Sequence, residues 1–167
     1  MRRLLGLAAA SAAVVLVAAG CGSSSSSKST PTSPPATAAA PATTAAGGAT
    51  IVVASSKLGR ILVDSKGRTL YLFEKDKGTT SACYGACATN WPPFTTTGAP
   101  QAGSGATAAL LGTTPRTDNT TQVTYKGHPL YLFVADKSAG DVTGEGVNAF
   151  GAKWYVLAPS GNKIDKD

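Results

Sequence analysis

Lys66-Gly67-Arg68-Thr69-Leu70-Tyr71-Leu72-Phe73-Glu74-Lys75-Asp76-Lys77 aligns without gaps onto Lys126-Gly127-His128-Pro129-Leu130-Tyr131-Leu132-Phe133-Val134-Ala135-Asp136-Lys137, at an offset of 60 residues and with eight of twelve positions identical. Trp91 and Trp154 follow at similar distances, so each copy reads as a Lys-Gly turn, a Leu-Tyr-Leu-Phe strand, an Asp, a Cys-containing or glycine-rich segment, and a Trp. Self-similarity at a fixed offset marks two copies of one supersecondary unit, here about 56–94 and 110–158.

The local signals in each copy are those of β-structure. Ile61 to Asp64 and Thr69 to Phe73 are short apolar or β-branched runs separated by Ser65-Lys66-Gly67-Arg68, a hairpin turn with Gly available for a positive φ. Gln122 to Tyr125 and Leu130 to Val134 repeat that arrangement around Lys126-Gly127-His128-Pro129, Thr117 to Thr120 forms a further turn, and Trp154 to Leu157 another strand. Helical signals are weak: Ser81 to Ala88, with Ser81 as N-cap, and Ala106 to Leu111. In an extended strand Tyr71 and Phe73 share one face while Leu70 and Leu72 share the other, so both faces want cover. The expectation is a mainly β fold, a compact antiparallel sheet or sandwich of two tandem hairpin-containing repeats related by a pseudo-twofold, with one or two short helical turns. Neither repeat can bury its apolar set alone.

Working outward, the eleven aromatic residues all lie between Tyr71 and Tyr155. The N-terminal third is therefore not core material. Arg2-Arg3, an apolar stretch from Leu4 to Ala19 and the small residues before Cys21 have the order of a secretory signal, and Ala19-Gly20-Cys21 resembles a lipobox, in which cleavage leaves an acylated Cys first. The reading is a signal peptide over 1–20, lipidation at Cys21 and an extracytoplasmic protein held on a membrane. Residues 22–49 are almost wholly Ser, Thr, Pro, Ala and Gly, with Lys28 the only charge, so 21–49 is read as a disordered linker spanning roughly 30 Å. Residues 50–167 are then a single domain.

Charge and motif exclude several classes. The formal charge of +6 falls to +4 once Arg2 and Arg3 are removed, and no Lys/Arg cluster or basic helix occurs, so no nucleic acid is expected as a partner. His128 is the sole His and occupies the place of Arg68 in the other copy, which suits a solvated turn residue better than a metal ligand or catalytic base. No Gly-x-Ser-x-Gly elbow or strand-to-helix phosphate loop is present. No catalytic residue, metal or cofactor is expected.

Two sets of residues invite chemistry. Tyr71, Phe73 and Asp76, with Tyr131, Phe133 and Asp136, place aromatics beside a carboxylate, an arrangement able to hold a sugar or a cation if a ring is exposed. Duplicated architecture explains the same residues as core rings plus turn carboxylates that accept amides of Lys77-Gly78 and Lys137 to Gly140, and this is the expectation. Cys83 and Cys87, spaced i,i+4, are expected to form a structural disulfide in an oxidising compartment, with a thiol redox pair as the sharper alternative.

With the run from Leu58 to Asp64, Gly67 to Phe73, Asp76, Cys83-Tyr84-Gly85-Ala86-Cys87, Trp91-Pro92-Pro93, Arg116, Gln122 to Tyr125, Gly127 to Tyr131 and Gly144 to Gly151, the chain resembles the secreted-repeat-of-unknown-function lipoproteins and their tandem Tyr-x-aromatic-x-x-Asp motif. Asp118-Asn119 stands where that pattern has Asp-Gly, and Asn also tolerates positive φ. The resemblance implies a bacterial envelope lipoprotein and transfers no activity, catalytic residue or cofactor. The functional expectation is a lipid-anchored, non-enzymatic module that binds an envelope protein or glycan. The alternative is an envelope redox or electron-transfer accessory cycling Cys83 and Cys87.

Overall fold

The computed structural model describes residues 47–166; the expected signal segment, Cys21 and residues 22–46 of the expected linker lie outside them. In chain order the elements are β1 (Thr50–Ser56), β2 (Gly59–Asp64), β3 (Tyr71–Phe73), α1 (Ala86–Asn90), β4 (Gln101–Ala102), a 3-10 turn (Ala108–Leu110), β5 (Leu111–Pro115), β6 (Thr121–Tyr125), β7 (His128–Pro129), β8 (Asn148–Ala149) and β9 (Ala152–Val156). Three three-stranded sheets result, in the orders β2-β1-β4, β3-β9-β8 and β5-β6-β7, and only β1 and β4 pair in parallel. The mainly β class with short helical turns is as the sequence led us to expect.

The two Lys-Gly turns are built differently despite their identical residues. Lys126 and Gly127 both take positive φ, 51° and 80°, the geometry of a two-residue hairpin turn that matches strand twist. In the first repeat only Gly67 does so, at 82°, because the turn carries one more residue and is folded around Asp64, whose Oδ1 accepts the Lys66 and Arg68 amides at 2.9 Å each. Asn119 takes a φ of 62°, so it serves the turn as a glycine would.

The repeats meet through their Tyr strands. Tyr71 and Tyr131 exchange both backbone hydrogen bonds, 2.9 and 3.0 Å, at the pseudo-twofold. On its other side β3 pairs with β9, Phe73 opposite Trp154. The equivalent Leu130 to Val134, expected as a strand, is reduced to bridges at Tyr131. The reason is chemical: its partner segment is Trp91-Pro92-Pro93, and proline has no N–H to donate. Pro92 can still accept from Leu132 (2.8 Å), and Phe94 donates to Leu130 (2.8 Å).

The alternation of the Leu-Tyr-Leu-Phe strands divides the interior in two. Tyr71, Phe73, Tyr131, Trp91, Trp154 and the two Cys form one cluster. Leu70, Leu72, Leu130, Val123, Tyr125, Tyr155 and Phe94 form the other. In the first, four rings stack in the order Phe73, Trp154, Trp91, Phe133, each neighbouring pair 4.0 Å apart between centroids and within 17° of parallel. Successive rings come from alternate repeats, so neither repeat owns the stack. Gly144 packs against it so closely that an added Cβ would lie 2.7 Å from the Trp91 ring.

The helical expectations need correction. The segment Ser81 to Ala88 is not one helix: α1 starts at Ala86 after Gly85, which takes φ 55° and ψ −127°, and no side chain caps it. Ser81 is a core hydrogen-bonding residue instead. The second candidate shrinks to the 3-10 turn at Ala108–Leu110.

Interleaving of the rings leads us to expect all-or-none folding. Trp154→Ala, which removes the ring between Phe73 and Trp91, is expected to lower stability by about 3–5 kcal/mol in urea unfolding. A chain truncated after residue 104, which lacks both segments paired with the first repeat's strand β3, should show no cooperative transition by circular dichroism.

Candidate functional site

The motif residues of the two copies are crossed. Tyr71 Oη donates to Asp136 Oδ2 at 2.6 Å, and Tyr131 Oη donates to Asp76 Oδ2 at 2.8 Å. Each repeat's tyrosine is thus held by the other repeat's aspartate. The second oxygen of each carboxylate ties down the loop that follows it: Asp76 Oδ1 accepts the Ala82 amide (2.7 Å), and Asp136 Oδ1 accepts the Thr143 amide (3.0 Å) and hydroxyl. Turn-forming aspartates are observed, but their amides lie further along the chain than Lys77-Gly78 and Lys137 to Gly140. Hydrogen bonds to a charged acceptor contribute about 1.5–3 kcal/mol each. Burial first, then the neighbouring carboxylate, pushes both tyrosine hydroxyls well above the ordinary phenol range.

Around Tyr131 the network extends into a polar core that sequence reasoning did not find. The Arg116 guanidinium is fully buried and donates to Ser81 Oγ (2.7 Å), Gln122 Oε1 (2.9 Å), the Cys83 carbonyl (2.9 Å) and Asp118 (3.0 Å), while lying 4.3 Å from the Tyr84 ring centroid. Ser81 Oγ accepts from Arg116 and from the Cys83 amide, so its own proton goes to Tyr131 Oη, 2.8 Å away. A buried guanidinium is tolerated because its donors are paired. Arg116 sits just past a β-strand in a Thr-rich stretch, with no sequence signal of burial.

Cys83 and Cys87 are joined by a disulfide within this core, Cα atoms 5.2 Å apart and the residues 0% and 5% exposed. Cys87 lies on α1 and Cys83 in the irregular segment before it, so the bond pins the helix rather than bridging two of its turns. For so short a loop, the paired Cys83→Ser and Cys87→Ser substitutions are expected to cost about 2 kcal/mol of stability in urea unfolding.

The ring stack is open at one end only. Phe73 is 2% exposed, whereas Phe133 is half-buried and lines a pocket of about 310 Å³. Both repeats build this pocket: Arg68, Thr69 and Pro92 from the first, Leu132 to Val134, Asp136 and Lys137 from the second. Two of the five Arg68 N–H donors hold Asp64, at 2.7 and 2.8 Å. A larger open groove of about 600 Å³, lined mainly by Thr, Gly and Ala between Thr96 and Thr121, has no aromatic or charged side chain. The Phe133 pocket is therefore the better candidate site. His128 lies in β7, half-buried, and burial followed by the Lys126 charge lowers its pKa. Among the described residues no cluster of His, Cys, Asp or Glu could hold a metal ion.

Burial pushes the Asp76 carboxyl from 3.8 up to about 6, against the opposing hydrogen bonds of Ala82 and Tyr131 and the attraction of Arg116. The folded state thus holds this proton more tightly than the unfolded chain, and the contribution is lost as pH rises from about 4 to about 6. Asp118 and Asp141, held below the usual range by hydrogen bonds from Thr120 and from the Ser138 and Lys137 amides, act oppositely below pH 4. His128, with its pKa lowered, acts against Asp76 in the same window, so the check is a difference: the thermal midpoint of the unaltered protein should gain on that of Asp76→Asn as buffer pH is lowered from about 7 to about 5.

Comparison with known proteins agrees with the duplicated geometry. No curated protein and no solved structure matches the chain. The family described as "secreted repeat of unknown function" matches residues 52–95 and 112–158, one match on each copy of the crossed Tyr–Asp motif and together more than half of the 167-residue sequence. The chain belongs to this secreted repeat family.

Proposed function

We propose that the domain is a non-enzymatic binding module, lipid-anchored through Cys21 on the extracytoplasmic side of the membrane, and that the Phe133 pocket takes a sugar ring of an envelope glycan. The observation that carries this reading is the half-buried Phe133 ring, backed by Trp91 at 4.0 Å and opening on a pocket flanked by Thr69, Arg68, Asp136 and Lys137. A pyranose presents C–H groups that stack on an aromatic face and hydroxyls that pair with charged and hydroxyl side chains, and this lining supplies both. Rigid backing matters because a fixed ring loses little entropy on binding. A family of secreted proteins supports the compartment. The basic, apolar, small-residue order before Cys21 supports the anchor. No helix of the described residues is long and apolar enough to cross a membrane.

The cycling of Cys83 and Cys87 finds less support, because sulfurs buried among Trp91 and Trp154 are out of reach of an exchanging thiolate.

Two measurements test the proposal. Cys21→Ser should shift the protein from the membrane to the soluble fraction; a variant that stays on the membrane rules out the anchor. Cosedimentation of this soluble variant with insoluble envelope polysaccharide should weaken at least about tenfold on adding Phe133→Ala, equivalent to losing about 1.4 kcal/mol of contact. Equal binding with and without the ring would remove the site.

A further inference from the structure

The interior stacks four aromatic rings, and the tyrosines around them are not alike. Tyr71 lies edge-on to Trp91 at 5.3 Å, and Tyr131 edge-on to Trp154 at 5.1 Å, so both touch the ring stack. Both also aim their hydroxyls at a carboxylate, at 2.6 and 2.8 Å. The other three tyrosines differ. Tyr125 donates to the Pro159 carbonyl, Tyr84 carries the Arg116 guanidinium over its ring, and Tyr155 carries the Lys163 ammonium at 4.1 Å. A cation over a ring disfavours removing an electron from it, and a carbonyl is a poor proton acceptor. Only Tyr71 and Tyr131 combine contact with tryptophan and a base.

We infer that this core is a one-electron relay, in which an oxidising equivalent placed on the tryptophan stack moves to Tyr71 or Tyr131 while the facing Asp136 or Asp76 takes the phenolic proton. A one-electron oxidant of the radical or high-valent-metal class removes an electron from Trp91 or Trp154, leaving an indole radical cation. That cation takes one electron from the edge-on tyrosine, and the O–H proton passes to the carboxylate oxygen already accepting it. The indole is restored, the tyrosine becomes a neutral radical, the aspartate becomes a neutral carboxyl, and the oxidant has gained one electron. Moving both particles together avoids leaving a charged ring in a low-dielectric interior. Face-to-face spacing of 4.0 Å lets Trp91 and Trp154 share the equivalent, so either tyrosine can receive it. The relay rests on the crossed pairs and is independent of the sugar-binding reading.

Flash oxidation of the full chain with photogenerated ruthenium(III) tris-bipyridine, followed by freeze-trapped electron paramagnetic resonance, tests it. The unaltered protein should give a neutral tyrosyl radical, and its formation should slow by at least about twofold in D2O because the proton travels with the electron. The Tyr71→Phe/Tyr131→Phe variant, which keeps both rings in the core, should instead trap a tryptophanyl radical. Asp76→Asn/Asp136→Asn should cut the tyrosyl yield at least about tenfold with the near-ultraviolet circular dichroism retained. A tyrosyl signal that survives in the double Phe variant, or a rate unaffected by D2O in the unaltered protein, overturns the inference.

Discussion

Two hydrogen bonds that cross between its halves, Tyr71 to Asp136 and Tyr131 to Asp76, set how this domain is put together. A buried phenol needs a partner, and a buried carboxylate needs more than one. Each repeat's tyrosine meets the other repeat's aspartate and not its own. By this exchange, the chain makes the folding of either half a condition for the other. The backbone exchange between Tyr71 and Tyr131 fixes the axis, the crossed side chains fix the register, and the four-ring stack then fills the space between.

Much of this was legible. The period-2 pattern of Leu-Tyr-Leu-Phe separates the two clusters of the interior, and the positive φ angles at Gly67, Gly127 and Asn119 follow from turn chemistry. The crossing was not, because sequence spacing states that Tyr and Asp recur and is silent on which copy each one meets. Local rules pointed Asp76 and Asp136 to the nearest amides, whereas Ala82 and Thr143 compete successfully from further along the chain. Ser81 looked like an N-cap since Ser before an apolar stretch usually is one, but Gly85 breaks the segment and tertiary contacts with Tyr131 and Arg116 claim the hydroxyl. Arg116 and Gln122 were invisible as core residues for the same reason: nothing local distinguishes a buried guanidinium from a solvated one.

The departures from symmetry are as informative as the symmetry. Pro92 and Pro93 deprive the Tyr131 strand of donors where β9 supplies them to the Tyr71 strand. One end of the ring stack is consequently lodged against a regular sheet and the other against a proline-bearing segment that lines the open pocket. Duplication built the frame, and the differences between copies leave one half-buried aromatic terminus open on a pocket where a symmetric molecule would have two or none.

The reciprocity of the Tyr–Asp pairs also limits how such a chain can grow. In a solenoid each unit offers one face to the next, so units can be added indefinitely. Here each copy gives and receives at the same surface, and two copies close the arrangement. A third would bring a tyrosine hydroxyl and an aspartate with no counterpart among the first two, so proteins built on this plan are expected to lengthen by whole pairs of repeats, each pair its own closed body.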